Sequence, residues 1–198
     1  MVIRLFVALE IPDEIRNRFA DLIAQLKPKC PAAKWVRPES LHVTLKFIGQ
    51  TREEKLSVIK SSLATIHSPR PIDMHFGGLG FFPSEKHPRV FWCGAEISPN
   101  AAPLAAEIDR ALETLGIPLE TREFKPHLTL ARLNSEDRHP PSRSQECLVA
   151  ITAAAGQSAS KSFGATRTSE FHLFESKLKP SGAEYICLQT FRFAEATS

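Results

Sequence analysis

Two short stretches of this chain carry side chains that could do chemistry together: Leu41-His42-Val43-Thr44-Leu45 and Pro126-His127-Leu128-Thr129-Leu130. In an extended strand successive side chains point to opposite faces. His42 therefore shares a face with Thr44, and His127 with Thr129, while Val43, Leu45, Leu128 and Leu130 anchor the other side. At this composition a histidine followed by apolar-Thr-apolar arises by chance for roughly one histidine in a hundred, so a single copy is a weak motif. Two copies among 7 histidines are hard to ascribe to chance. If the two strands face each other, they line a cleft with two imidazoles and two hydroxyls.

Such a cleft suits in-line cleavage of a phosphodiester. The reaction needs a base on the attacking water and an acid on the departing oxygen, on opposite sides of phosphorus. Two imidazoles with ordinary pKa values of about 6.5 can divide these roles at neutral pH, one neutral and one protonated. Hydroxyls of Thr44 and Thr129 are placed to donate to the oxygens on which charge develops, a contribution of about 3 kcal/mol for a well-aimed donor. A zinc site would want three or four His, Cys or carboxylate ligands, and neither motif contains a carboxylate or a cysteine. The reading therefore calls for no metal and no cofactor. Spacing alone does not say which histidine is acid and which is base.

Three further residues are candidates for binding substrate. Lys46 has the parity of His42 and Thr44, so a regular strand turns its ammonium towards the cleft and a phosphate. Arg132 has the wrong parity relative to His127, and would reach the cleft only if a bulge or strand end turned it in. Phe6, in an apolar strand, could stack a base of single-stranded RNA or simply fill the core.

Composition sets the outer limits. The chain has 198 residues, 42% of them hydrophobic, enough for one bilobal unit spanning 1–198. A formal charge of +3 and a pI of 8.7 suit a phosphate-bearing partner without requiring one. No run approaches the roughly eighteen apolar residues of a membrane span, and no basic segment with an apolar signal region opens the chain. Cys30, Cys93, Cys147 and Cys187 show no paired spacing, and are read as reduced, mostly buried thiols of a cytoplasmic protein. Gly77-Gly78-Leu79-Gly80 lacks the lysine and spacing of a phosphate loop and reads as a turn or bulge between strands.

The elements that must position the motifs follow from periodicity. Val2 to Leu9 reads as a buried strand, and Ile15, Phe19, Leu22, Ile23 and Leu26 recur at helical spacing until Pro28. The first motif strand runs from His42 to Ile48 and ends at Gly49. Thr51 and Glu54 form a capping box ahead of a helix carrying Leu56, Ile59, Leu63 and Ile66, stopped by Pro69 and Pro71. Strands follow at 72–76 and 89–97, then a helix through Leu104, Ile108, Ala111 and Leu115, stopped by Gly116. The second motif strand runs to Leu133, and Asn134 to Ser144 is a polar surface loop. A shorter helix covers Leu148, Ile151 and Ala155, and Ala153 to Ser162 reads as a small, polar, mobile segment. The chain closes with a hairpin of Glu170 to Lys177 and Glu184 to Phe193, turned at Pro180-Ser181-Gly182. This order predicts an α+β fold: a duplicated unit of antiparallel sheets with outer helices around a central cleft.

The paired motifs resemble those of the 2H phosphoesterase superfamily. More narrowly, the chain is similar to the bacterial and archaeal RNA 2′,3′-cyclic phosphodiesterases, historically called 2′-5′ RNA ligases. Arg4 to Leu9, Leu41 to Gly49, Phe82-Pro83, Arg89 to Trp92, Phe124 to Arg132 and Ser176 to Tyr185 carry the similarity over nearly the whole chain. The resemblance implies that His42 protonates the leaving 3′ oxygen and His127 activates water, leaving a 2′-phosphate. It also implies a role for Arg132, and leaves Ser176 and Tyr185 as structural residues. RNA with a 2′,3′-cyclic phosphate end, tRNA fragments among them, is the expected partner, handled by a monomer. Alternatives are an RNA-joining activity, an RNA-binding protein without turnover, and a phosphodiesterase acting on a small cyclic nucleotide.

Overall fold

The computed structural model describes residues 1–66, 70–133, 141–157, 161–179 and 182–193. Its elements are β1 (Val2–Glu10), α1 (Asp13–Leu26), β2 (Lys34–Trp35), β3 (His42–Arg52), α2 (Leu56–Ala64), β4 (Ile72–Phe82), β5 (Val90–Ile97), α3 (Ala101–Glu113), β6 (His127–Arg132), α4 (Pro141–Gln157), β7 (Ser162–Thr168), β8 (Glu170–Lys179) and β9 (Gly182–Arg192). The strands form one antiparallel sheet in the order β7-β4-β5-β6-β3-β1-β8-β9, with β2 set against β6.

The motif strands β3 and β6 are neighbours at the centre, and their register is a single pair, Val43 opposite Leu128. Long ladders run outward on each side, β3-β1-β8-β9 and β6-β5-β4-β7. This seam divides the sheet into two four-stranded halves. Helices α2 and α3 touch each other and reach β9 and β3, whereas α1 touches β7 and α4 touches β4. Each half thus has its own helical cover, the α+β arrangement expected for a duplicated unit.

The halves are not consecutive stretches of chain, as the order of elements had suggested. Strands β4 and β5, which follow the first motif, join the second motif strand, and β8 and β9, which follow the second, join the first by way of β1. Exchanging the trailing strands locks both halves into one sheet.

Helix α1 forms where the apolar spacing predicts, burying Ile15, Phe19, Leu22, Ile23 and Leu26. Phe19 stacks on Phe163 of β7 at 4.8 Å between ring centroids and meets Phe76 of β4 edge-on at 6.4 Å. Gly164 lets the helix come this close: its φ is +117°, and a β-carbon there would run into Ile15.

Several local expectations need correction. Thr51 and Glu54 form no capping box, because Thr51 still pairs with Ile3 in the sheet and a 3-10 turn, Glu53–Lys55, precedes α2. Gly49 does not end β3; with φ +80° it passes through an irregularity, and pairing continues to Arg52. The glycine run is a bulge inside β4, not a turn between strands. Ile151 and Ala155 of α4 are buried as expected, but Leu148 is exposed and Cys147 packs against the core in its place. That helix begins at Pro141, within the expected loop, and includes residues 153–157. The sequence reading missed β7, whose small and polar residues lack strand periodicity. Residues 134–140 of the expected loop, Pro69, Pro180 and Ser181 lie outside the described residues.

The cysteine reading also changes. Cys30, just beyond α1, and Cys147 of α4 are joined as a disulfide across 117 residues. Buried Cys93 and exposed Cys187 are the free thiols among the described residues. A contact so distant in sequence leaves no spacing signal. Among the described residues no helix is long and apolar enough to cross a membrane.

Candidate active site

Both motif strands break their alternation at the same point. On β3, Ala8 lies opposite Thr44 and Val7 opposite Lys46, leaving Leu45 unopposed; on β6, Trp92 lies opposite Thr129 and Phe91 opposite Ala131, leaving Leu130 unopposed. Each is a β-bulge one residue beyond the threonine. Consecutive side chains are therefore buried, Leu45 with Lys46 and Leu130 with Ala131, and the following residue returns to the open face. The residues thus restored to the cleft face are Phe47 on one strand and Arg132 on the other.

The bulges decide two of the predicted positions. Arg132 joins His127 and Thr129. Lys46 goes the other way: it is 4% exposed, its ammonium pairs with Asp109 of α3, and it donates to the Pro118 carbonyl at 2.6 Å. The cleft-facing reading of Lys46 rested on unbroken parity and is corrected. Phe6 does lie on the cleft side, but it is only 3% exposed, stacked on Phe174 at 5.2 Å and capped edge-on by Tyr185 at 4.9 Å. It cannot take a base on its face while packed in this way. Phe47, 49% exposed and 6.5 Å from Phe6, is the open aromatic beside it.

The two histidines are held alike. His42 Nδ1 lies 2.8 Å from the Ser40 carbonyl and His127 Nδ1 lies 2.7 Å from the Lys125 carbonyl. A carbonyl only accepts, so Nδ1 carries the hydrogen in both rings, and in a neutral imidazole Nε2 is left with its lone pair. Each ring also leans on aromatics of its own half. His42 packs against Phe6 at 4.7 Å and the edge of Tyr185 at 5.1 Å; His127 meets Phe82 at 4.9 Å, and Phe82 stacks on Trp92 at 5.0 Å. Thr44 and Thr129 are half-buried beside them, and among the described residues neither hydroxyl has a hydrogen-bond partner within the protein.

Electrostatically the site favours neutral imidazoles when empty. Burial is the largest cause pushing His42 down to about 4, helped by the nearby His127 and Arg132 and opposed by the Ser40 carbonyl. His127 is lowered by burial and by Arg132, against the Lys125 carbonyl. Burial raises the Tyr185 phenol, against the pull of Arg132, Arg4 and Arg37. Arg132 acts on all three rings and so stands among them.

The structure thus gathers His42, Thr44, His127, Thr129 and Arg132, and removes Lys46 and Phe6 from direct reach of a ligand. Sequence reasoning missed the walls: Phe47, Phe82, Trp92, Phe174 and Tyr185. No periodicity marks them as a group, because they come from five strands; only the bulge, invisible in the sequence, brings Phe47 round.

A twisted antiparallel sheet whose two central strands each offer a histidine and a threonine across a shared seam is the architecture of a phosphoesterase class. The profile of that class, described as LigT like Phosphoesterase, matches residues 9–92 and 94–185, and the chain belongs to this family. A relative from Archaeoglobus fulgidus named RNA 2′,3′-cyclic phosphodiesterase is 32% identical over 188 residues, covering 95% of this chain and 99% of its own. Another of the same name from Methanothermobacter thermautotrophicus is 30% identical over 193 residues, covering 97% and 100%. A solved structure from Thermus thermophilus superposes with a TM-score of 0.74 at 30% identity, over 97% of this chain and 98% of that one.

Proposed function

We propose that the chain hydrolyses RNA 2′,3′-cyclic phosphodiester ends to 2′-phosphomonoesters by acid/base catalysis between His42 and His127, without a metal. The observation that carries this reading is the matched pair of imidazoles, each with Nδ1 held by a backbone carbonyl, with Nε2 and the two threonine hydroxyls beside Arg132 without a hydrogen-bond partner among the described residues. The names of the relatives support the substrate.

Water attacks phosphorus as its proton passes to His127 Nε2. The bond from phosphorus to the 3′ oxygen breaks, and that oxygen takes a proton from His42 Nε2. Thr44 and Thr129 donate to the non-bridging oxygens, and Arg132 offsets their charge. His42 must be protonated to serve as acid, although it is neutral in the empty site. The anionic phosphodiester supplies the missing counter-charge, so substrate binding brings a proton with it. His127, lowered by burial and by Arg132, is neutral in the empty site and free to take the proton from water. Phe47 offers a face for the terminal base. The whole chain, 1–198, works as one bilobal unit and as a monomer, in the cytoplasm, with RNA ends such as those of tRNA fragments as substrate.

The test is to incubate purified protein, with chelator and without ATP, with a short RNA ending in a 2′,3′-cyclic phosphate, and to identify the terminal phosphate. The expected product is a 2′-phosphate, with rates reduced at least a thousandfold in folded His42→Ala and His127→Ala. Substantial residual activity in either variant would remove that histidine from the mechanism, and loss of activity with chelator would remove the metal-free reading.

A further inference from the structure

We propose that Arg4, assisted by Arg37, forms a second phosphate subsite that holds the internucleotide phosphate next to the cyclic end, so that an RNA chain end is preferred over a free cyclic nucleotide. The inference rests on the phosphodiesterase reading above.

The face on which Arg4 stands is fixed by β1. Ile3, Leu5, Val7 and Leu9 are all buried in the main core, so Arg4, Phe6, Ala8 and Glu10 lie on the opposite face. Phe6 shows that this is the cleft face, because its ring packs against His42. Arg4 is one step further along and is exposed. Continuing the register by one residue puts it level with Tyr185, two strands away: Leu5 lies opposite Glu175 on β8, and the next residue, Ser176, lies opposite Tyr185 on β9. Arg37 approaches the same spot from the segment preceding the first motif, with Nη2 donating to the Ala183 carbonyl at 3.2 Å. Both guanidinium groups lie within electrostatic reach of the Tyr185 phenol, as Arg132 does.

The charge of Arg4 is uncommitted. Arg16, Arg18, Arg122 and Arg167 each sit within 4.0 Å of a carboxylate. Nearby Lys177 and Lys179 are matched by Glu175 at 3.6 Å and Glu184 at 2.6 Å. Among the described residues Arg4 has no carboxylate at ion-pair distance, while Arg37 lies 3.6 Å from Glu39 and within electrostatic reach of Glu184. Arg4 and Arg37 therefore bring two guanidinium groups to the neighbourhood of Tyr185. A reacting phosphate at the seam already has Arg132. What remains to be neutralised by Arg4 and Arg37 is a second anion covalently attached to the first, and in an RNA end that anion is the adjoining phosphodiester. Planar guanidinium groups match its two non-bridging oxygens.

The experiment compares kcat/KM for a nucleoside 2′,3′-cyclic phosphate with that for a trinucleotide ending in the same group. A third substrate is the trinucleotide with a neutral methylphosphonate at its last internucleotide linkage. The wild-type chain should favour the trinucleotide by about tenfold or more, and lose most of that preference on the methylphosphonate. Arg4→Gln should lower the rate on the trinucleotide about five- to tenfold, leave the mononucleotide within twofold, show no further loss on the methylphosphonate, and reduce the salt dependence by about one unit of slope. Equal loss on both substrates in Arg4→Gln, or indifference of the wild type to the methylphosphonate, would overturn the subsite. Turnover of the mononucleotide without any preference for the trinucleotide would sink the subsite alone. Turnover of neither substrate would sink the phosphodiesterase reading and the subsite with it.

Discussion

His42 is a base kept from its proton by its surroundings, and this has a consequence for stability as well as for catalysis. In the unfolded chain an imidazole takes up a proton at a pH of about 6.5, whereas in the fold His42 resists protonation until about pH 4. Between these values the unfolded state binds more protons than the native state, so stability rises with pH across the window and is lost as the pH falls from about 6.5 to about 4. Below that both states are protonated and this group contributes no further loss. The shift corresponds to about 3 kcal/mol, and His127, lowered in the same direction, adds to it. Urea unfolding of the wild type and His42→Asn at pH 4.5 and pH 7.5 should show a distinctly smaller pH dependence in the variant; an identical slope would mean the ring is solvated. Saturation with a nucleoside 2′-phosphate should raise the His42 pKa by more than one unit in an NMR titration, since the anion supplies the missing counter-charge.

At the scale of elements, the two bulges do most to build the site. They turn Arg132 into the cleft and Lys46 out of it, and Lys46 then joins the first motif strand to α3 and to the segment that leads into the second motif, through Asp109 and the Pro118 carbonyl. Asp109 extends the link by accepting from the Glu120 backbone N–H at 2.9 Å. Replacing Lys46 with Met leaves a buried carboxylate without its cation, and should cost about 3–5 kcal/mol of stability. Lys46→Met with Asp109→Leu should recover much of that loss, and the folded fraction of either protein should keep kcat within a few-fold. A kcat collapse in the stable double variant would restore Lys46 to the phosphate site. The same bulges explain what could be read in advance. His42, Thr44, His127 and Thr129 precede the break, where strict alternation holds, and so they were legible from period alone. Lys46 and Arg132 follow it, and no residue type in either strand announces an extra residue. Phe6 stayed undecided between stacking and core for another reason: its face was assignable, but the ring that covers it, Phe174, comes from a strand far along the chain.

The whole molecule is closed by contacts that no local pattern encodes. The exchanged strands make each half depend on the other, and the Cys30–Cys147 bridge ties the segment after α1 to α4, the two helices that cover the half carrying His127. A crosslink between cysteines 117 positions apart restricts the unfolded chain strongly, by about 3–5 kcal/mol in the loop-entropy account. Its existence also weakens the reading of all four cysteines as reduced thiols, and with it the compositional case for a reducing compartment. The intact mass measured without reductant should therefore be about 2 Da below that of the reduced chain, with one bridged peptide pair joining Cys30 to Cys147. Cys147→Ser should lower the melting temperature by several degrees and abolish the difference between reduced and unreduced samples. Because, among the described residues, no side chain of the candidate site touches either sulfur, turnover below the melting transition should change less than twofold. If reduction instead silenced the enzyme while the fold persisted, the position of β6 and its histidine would have to depend on the clasp between α1 and α4.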